Sequence, residues 1–223
     1  MSWDQSVPVY NNAIPGIGNV GILHKIVECD IQHNFTSDDL VIVLWSSWNR
    51  EDRYMDGRWL AGGNILTSEY YDEDYIQKYW SIENNIVKNS TAIITANKSF
   101  NINFQGHIAP IMSGKYDLLS ARERKLFDFY KQSLPRDNVF STTINDGKSP
   151  FARVMKDRHP DVLEHLEYLK KIYSKLGLNL SPSTEKQCID LQSRMIQEIN
   201  SSSDEMTKTM QIREMVESYD TNK

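Results

Sequence analysis

The sequence is poor in residues that build covalent or metal frameworks. Its 223 residues include only two cysteines, Cys29 and Cys188, far apart and without C-x-x-C spacing. A disulfide scaffold and a zinc site are therefore not expected, and the simplest setting is a reducing one. No basic block is present and the formal net charge is −5, which argues against a nucleic-acid partner. No apolar run approaches the length that spans a bilayer. The opening stretch, MSWDQSVPVY, lacks the basic-then-apolar order of a secretory leader. Together these absences lead us to expect a cytoplasmic protein with no membrane partner. Nothing in the pattern asks for a metal or a cofactor, and no internal repeat is evident.

What is present is a chain 39% hydrophobic and 25% charged, long enough to bury a core. Leu40–Ser46, LVIVLWS, is a continuous apolar run rich in β-branched residues. It suits a parallel strand covered on both faces. Thr91–Thr95, TAIIT, reads as a second strand, with weaker ones at Val9–Ile14 and Val139–Ile144. Between them lie helical patterns. Val20–Ile31 carries Leu23, Ile26 and Val27, and Asp74–Val87 places Tyr75, Tyr79, Ile82 and Ile86 on one stripe. Ser120 with Glu123 forms a capping-box pattern before ARERKLFDFYKQSL. Asp161–Leu176 is amphipathic, with Gly177 placed as its C′ residue.

This alternation predicts a parallel sheet wrapped by helices, a three-layer α/β domain over residues 1–177. GLNLSPSTE, from Gly177, reads as a linker. Residues 178–223 then form a helical extension, with segments Glu185–Ile199 and Asp204–Tyr219. The thin stripe of Met195, Ile196, Ile199, Met206, Met210, Met215 and Val216 fits a helical hairpin folded back on the domain. It fits equally a homo-oligomer joined through these C-terminal helices.

Three segments can carry chemistry, because ligands of parallel α/β sheets bind beyond the carboxyl ends of the strands. Asn11–Gly21, NNAIPGIGNVG, leaves a strand and enters a helix. Gly16 and Gly18 permit tight turns, and the amides opening the helix near Asn19 can hold an anion or oxyanion. The plainer reading is a strand-to-helix turn capped by Asn19. Trp45–Arg53, WSSWNREDR, follows the best strand. Ser46 and Ser47 stand where they can donate into a cleft. Arg50 and Arg53 can bind a carboxylate or sugar hydroxyls, or pair with Glu51 and Asp52. Trp45, Trp48, Tyr54 and Trp59 suit carbohydrate faces, or pack loops on a sheet. Finally, VMKDRHPDVLEHLEYL (154–169) puts Asp157 two residues before His159. A carboxylate can orient an imidazole as general base there, or the pair can sit unremarked beside a helix cap.

Taken together, these segments resemble the SGNH (GDSL-like) hydrolase family, in a variant associated with bacterial and phage proteins. The resemblance implies a flavodoxin-like sheet and a Ser–His–Asp site. NNAIPGIGN is similar to the family's second block, which makes Gly16 an oxyanion-hole amide. DLVIVLWSSWNR is similar to the third block, and DRHPDVLEHLEYL to the last, which makes Asp157 and His159 the catalytic acid and histidine. The likeness extends over residues 9–173. Three departures accompany it. The acid and histidine are two apart where the family spaces them three. Ser47 stands where the family has an oxyanion-hole asparagine, a role that Asn19 can take over. The first block, a strand ending in G-x-S that carries the nucleophile, does not precede the second. The expectation is thus a truncated or degenerate relative. It would be an esterase on a small-molecule or carbohydrate ester, impaired for want of that serine block. Ser46 or Ser47 paired with His159 is the alternative nucleophile. A non-catalytic module of the same fold, binding a carbohydrate or a protein, is the rival reading.

Overall fold

The computed structural model describes residues 10–14, 16–55, 57–65, 71–107, 119–135, 137–138 and 162–201. The chain forms two compact units, one of residues 10–140 and one of residues 141–223 together with 1–9. The first is a mixed α/β unit with a small parallel sheet.

Its first helix, α1 (Asn19–His33), starts after Gly18 in extended backbone and stops at Asn34, whose φ of 53° is left-handed. Asparagine tolerates that conformation, and its amide closes the helix on Asp30 O at 2.6 Å. The chain then enters β1 (Ile42–Trp45). A hairpin of β2 (Arg50–Met55) and β3 (Arg58–Asn64) follows, antiparallel, with a bulge between Arg50 and Asp52. Gly57 in its turn has φ +75°, the left-handed geometry that suits a tight hairpin. Helix α2 (Glu73–Tyr79) is capped by Asp72, and α3 (Ile82–Ser99) by Ser81. Strand β4 (Phe104–His107) leads to α4 (Ala121–Ser133) and the short β5 (Asp137–Asn138).

The sheet order is β1-β4-β5, all parallel, with Ile42 opposite Phe104 and Trp45 opposite His107. Val43 and Trp45 point into a core built with Ile26 of α1, Ile86, Ile93 and Ala96 of α3, and Phe127 and Tyr130 of α4. Trp45 is fully buried, and its indole N–H donates to Gln105 Oε1 at 2.9 Å. Leu44, on the opposite face, stays 43% exposed. Among the described residues the apolar run at 40–46 is therefore buried on one face, not on two.

Several local expectations hold. Ser120 and Glu123 make both halves of the capping box, Ser120 N to Glu123 Oε2 at 2.7 Å and Glu123 N to Ser120 Oγ at 3.2 Å. Others are corrected. Thr91–Thr95 is not a strand but the middle of α3. The buried positions Asn85/Ile86, Asn89/Ser90, Ala92/Ile93 and Ala96 recur at helical spacing on both sides of it, so the helix period prevails over the β-branched composition. The expected helix 74–87 is two helices, broken at Trp80 and Ser81, where the second cap sits. Residues 10–14 are irregular rather than a strand. Residues 139–144 and 204–219 lie outside the described residues.

In the other unit, α5 (Val162–Lys175) and α6 (Pro182–Ser201) form an antiparallel pair. It is tied by Lys170 to Glu185 at 2.6 Å and by Val162 N to Gln192 Oε1 at 3.2 Å. Gly177, φ +67°, ends α5 with Leu178 N on Tyr173 O and Gly177 N on Ser174 O, a Schellman closure. Ser181 caps α6 through Thr184 N at 3.2 Å, with Pro182 first in the helix. Helix α5, which the sequence attaches to the α/β domain, thus packs with the helix beyond the linker.

Candidate functional site

The stretch Ile14-Pro15-Gly16-Ile17 has proline and glycine where a type II turn wants them. Gly16 adopts φ +80°, and Ile17 N donates back to Ile14 O at 3.3 Å. This elbow delivers the chain to α1 at the carboxyl end of β1. The link is direct. The fully buried Asn19 accepts from Ser46 N at 2.6 Å and donates to Ser46 O at 3.1 Å, gripping both backbone groups of the residue after β1. Its second donor interaction runs to Asn89 Oδ1 at 2.7 Å. Asn89 donates in turn to Trp48 O at 3.0 Å and Asn85 O at 2.7 Å, and Asn85 to Trp48 O at 2.6 Å. Tyr130 of α4 closes the set with a 3.3 Å bond to Ser46 O. Burial pushes its phenol well above the usual range. Asn85 and Asn89 are one helical turn apart on α3, so both amides reach the same loop.

The structure therefore brings Asn19 and Ser46 together at the strand tip, with Ser47 next in the loop, whereas Gly16 faces β3, where a Cβ on it would stand 3.8 Å from Ala61 Cβ and 4.0 Å from Gly63 Cα. Ser47 is buried and its hydroxyl donates to Asn49 Oδ1 at 2.5 Å. Ser46 is buried too, with its Oγ unbonded among the described residues. Asn19 uses its amide to hold the elbow to the strand. Trp48 is 5% exposed, stacked near Trp80 at 6.5 Å and edge-on to Phe127 at 6.1 Å, so its ring serves the core. Arg50 donates to Ile17 O at 3.4 Å, and burial lowers its guanidinium against the pull of Asp52. Asp157 and His159 lie outside the described residues.

Sequence reasoning missed Asp52. Its carboxylate accepts from Gly18 N at 2.7 Å and Gly21 N at 3.0 Å, so these helix-opening amides have an internal anion. It also missed the Asn85–Asn89 pair. The available signal was two amides at i and i+4 on the face that carries Ile82, Ile86 and Ile93. A second cluster joins the hairpin to α2. Arg53 lies 3.9 Å from the Tyr75 ring centre and 4.6 Å from that of Tyr71. Tyr75 meets Tyr79 at 5.5 Å, and Tyr79 is 70% exposed. Tyr71 donates to Glu51 O at 2.9 Å, and burial pushes its phenol up to about 12.

Among the described residues no group of three or more His, Cys, Asp or Glu can hold a metal ion, and no helix is long and apolar enough to cross a membrane. In comparisons with family models, curated proteins and solved structures, nothing matches this chain.

Proposed function

We propose that this chain is a relative of the SGNH hydrolases, built for an ester of a small molecule or carbohydrate. What supports the reading is one observation: the glycine elbow and the loop after β1 meet at the carboxyl end of the parallel strands, where α/β folds bind ligands. Within this proposal the complete domain is a three-layer, flavodoxin-like sheet. His159 is the base and Asp157 its orienter. The Gly16 amide is the first oxyanion donor, with Ser47 the second. Loss of one member of such a site costs about 10⁴-fold or more in rate. Turnover of p-nitrophenyl acetate by the full chain is expected to fall to background in His159→Ala. Turnover unchanged in His159→Ala, or none in the unaltered chain, would overturn the reading.

A second reading, a non-catalytic carbohydrate-binding module of the same fold, is favoured by the Arg53–Tyr71–Tyr75–Tyr79 ladder and the 60% exposed Tyr54. Tyrosine rings beside a guanidinium suit sugar faces and hydroxyls. On a glycan array this reading expects binding that survives His159→Ala and fails on Tyr79→Ala. A silent array would reject it.

A further inference from the structure

We propose that Asp52 is a proton-sensitive clasp on the glycine elbow: its carboxylate holds the backbone of Gly18 and Gly21, and proton uptake loosens that hold while the unit stays folded. The geometry is that of a capping box supplied from a distance. Gly18 is the N-cap of α1 and Gly21 its third residue. Two local side chains ordinarily satisfy this pair of amides. Glycine has none, so one carboxylate from β2 serves both, one oxygen each, at 2.7 and 3.0 Å. The glycines are what admit it. A Cβ at residue 18 would stand 2.8 Å from Asp52 Oδ2, and one at residue 21 would stand 2.9 Å from it.

The charged and titratable groups around the clasp are few. Arg50 on the same strand attracts the carboxylate and Glu51 repels it. Glu51 is itself paired with Lys88 of α3 at 3.1 Å. Tyr71 lies close enough for its phenol to feel the Asp52 charge. Helix α1 offers no acidic side chain in its first turn. Burial outweighs the two amide bonds and Arg50, and holds the Asp52 carboxyl above its ordinary range. The sign matters. A raised carboxyl binds its proton more tightly in the folded chain than in the unfolded one. Acidification through that window therefore favours folding, as far as this group is concerned. A neutral carboxyl keeps one carbonyl acceptor and turns its other oxygen into a donor, which then faces an N–H. One of the two amides is left with a weaker acceptor, and the turn at Gly16, two residues before the helix cap, loses part of its anchor. The clasp stands whether or not the elbow meets an ester.

The test is a ¹⁵N-amide titration of the full chain from neutral to acid pH, with Asp52 Cγ followed by ¹³C labelling. Gly18 and Gly21 amides and Asp52 Cγ are expected to shift with one shared midpoint above 3.8, the ordinary aspartate value. In Asp52→Asn the amide titration is expected to vanish. Amides that do not titrate, that differ in midpoint from Cγ, or that titrate unchanged in Asp52→Asn would overturn the proposal. Should Asp52→Asn fail to fold, agreement or disagreement of the three wild-type midpoints decides.

Discussion

Two junctions of the α/β unit are built on opposite principles. At the strand tip, Asn19, Asn85 and Asn89 fasten α1, α3 and the loop after β1 with amide bonds sealed from water. At the other junction, the hairpin is fastened to α2 by Arg53 lying against the Tyr71 and Tyr75 rings, in a row that runs out to the exposed Tyr79. The first junction depends on direction: the side-chain amides of Asn19, Asn85 and Asn89 each donate to a named acceptor, and a buried group left unpaired is costly. The second depends on contact area and charge against a ring face, which tolerate small displacements. The lesson is that position at the strand tip is specified to fractions of an ångström, whereas the hairpin is held firmly but more forgivingly.

The sharpest way to break this contrast is Asn19→Leu. It keeps the branched outline of the side chain, though with bulkier methyl groups, but leaves Ser46 N, Ser46 O and Asn89 Oδ1 without this partner, and about 4 kcal/mol should be lost. Urea unfolding measures it, and a loss below about 1 kcal/mol would show that the network is dispensable. Next comes Gly62→Ala, where a Cβ would lie 1.8 Å from Tyr71 Oη and 2.5 Å from Glu51 O. The hydroxyl must leave its acceptor, at a cost of about 2–3 kcal/mol. Combining it with Tyr71→Phe should cost less than the sum of the two single changes. Tyr71→Phe alone removes one hydrogen bond and should cost about 1 kcal/mol. It also carries a pH signature. The folded phenol is raised from 10 to about 12. The contribution is complete below pH 10 and declines as pH rises towards 12, because the unfolded chain releases its proton first. Alkaline unfolding of the wild type should therefore steepen in that window, and Tyr71→Phe should blunt it.

How much of this was legible in the sequence follows the range of the interactions. The Ser120–Glu123 box and Gly177 as a helix stop are written within a few residues and are found where the spacing puts them, and the strand expected at 40–46 is found, shorter, at 42–45. The elbow was legible as a turn permitted by Gly16 and Gly18. Its partner Asp52 was not, because the contact joins residues 31 to 34 apart and no local pattern encodes it. The hairpin was overlooked because REDRYM and RWLAGGN are too charged or too glycine-rich for apolar alternation. Its one cue was the Asp56-Gly57 dipeptide between them. Trp48 was weighed as a sugar platform on composition, and only packing against Trp80 and Phe127 reveals its part in the core. The helix at 82–99 was half seen, since its buried asparagines interrupt the apolar stripe that marks a core-facing surface.

Gly18, Gly21 and Asp52 also constrain descent. A Cβ at residue 18 or 21 would crowd the Asp52 carboxylate, at 2.8 and 2.9 Å, so an acid at 52 favours glycine at both positions. Lineages that lose the acid still meet Ile17, 2.6 Å from a Cβ at residue 21, and the Arg50 carbonyl, 3.1 Å from one at residue 18, so alanine in the first turn of α1 asks for a smaller side chain at 17 as well. Those that keep it are bound to both glycines, and that correlation should be visible as soon as a handful of diverged sequences are laid side by side.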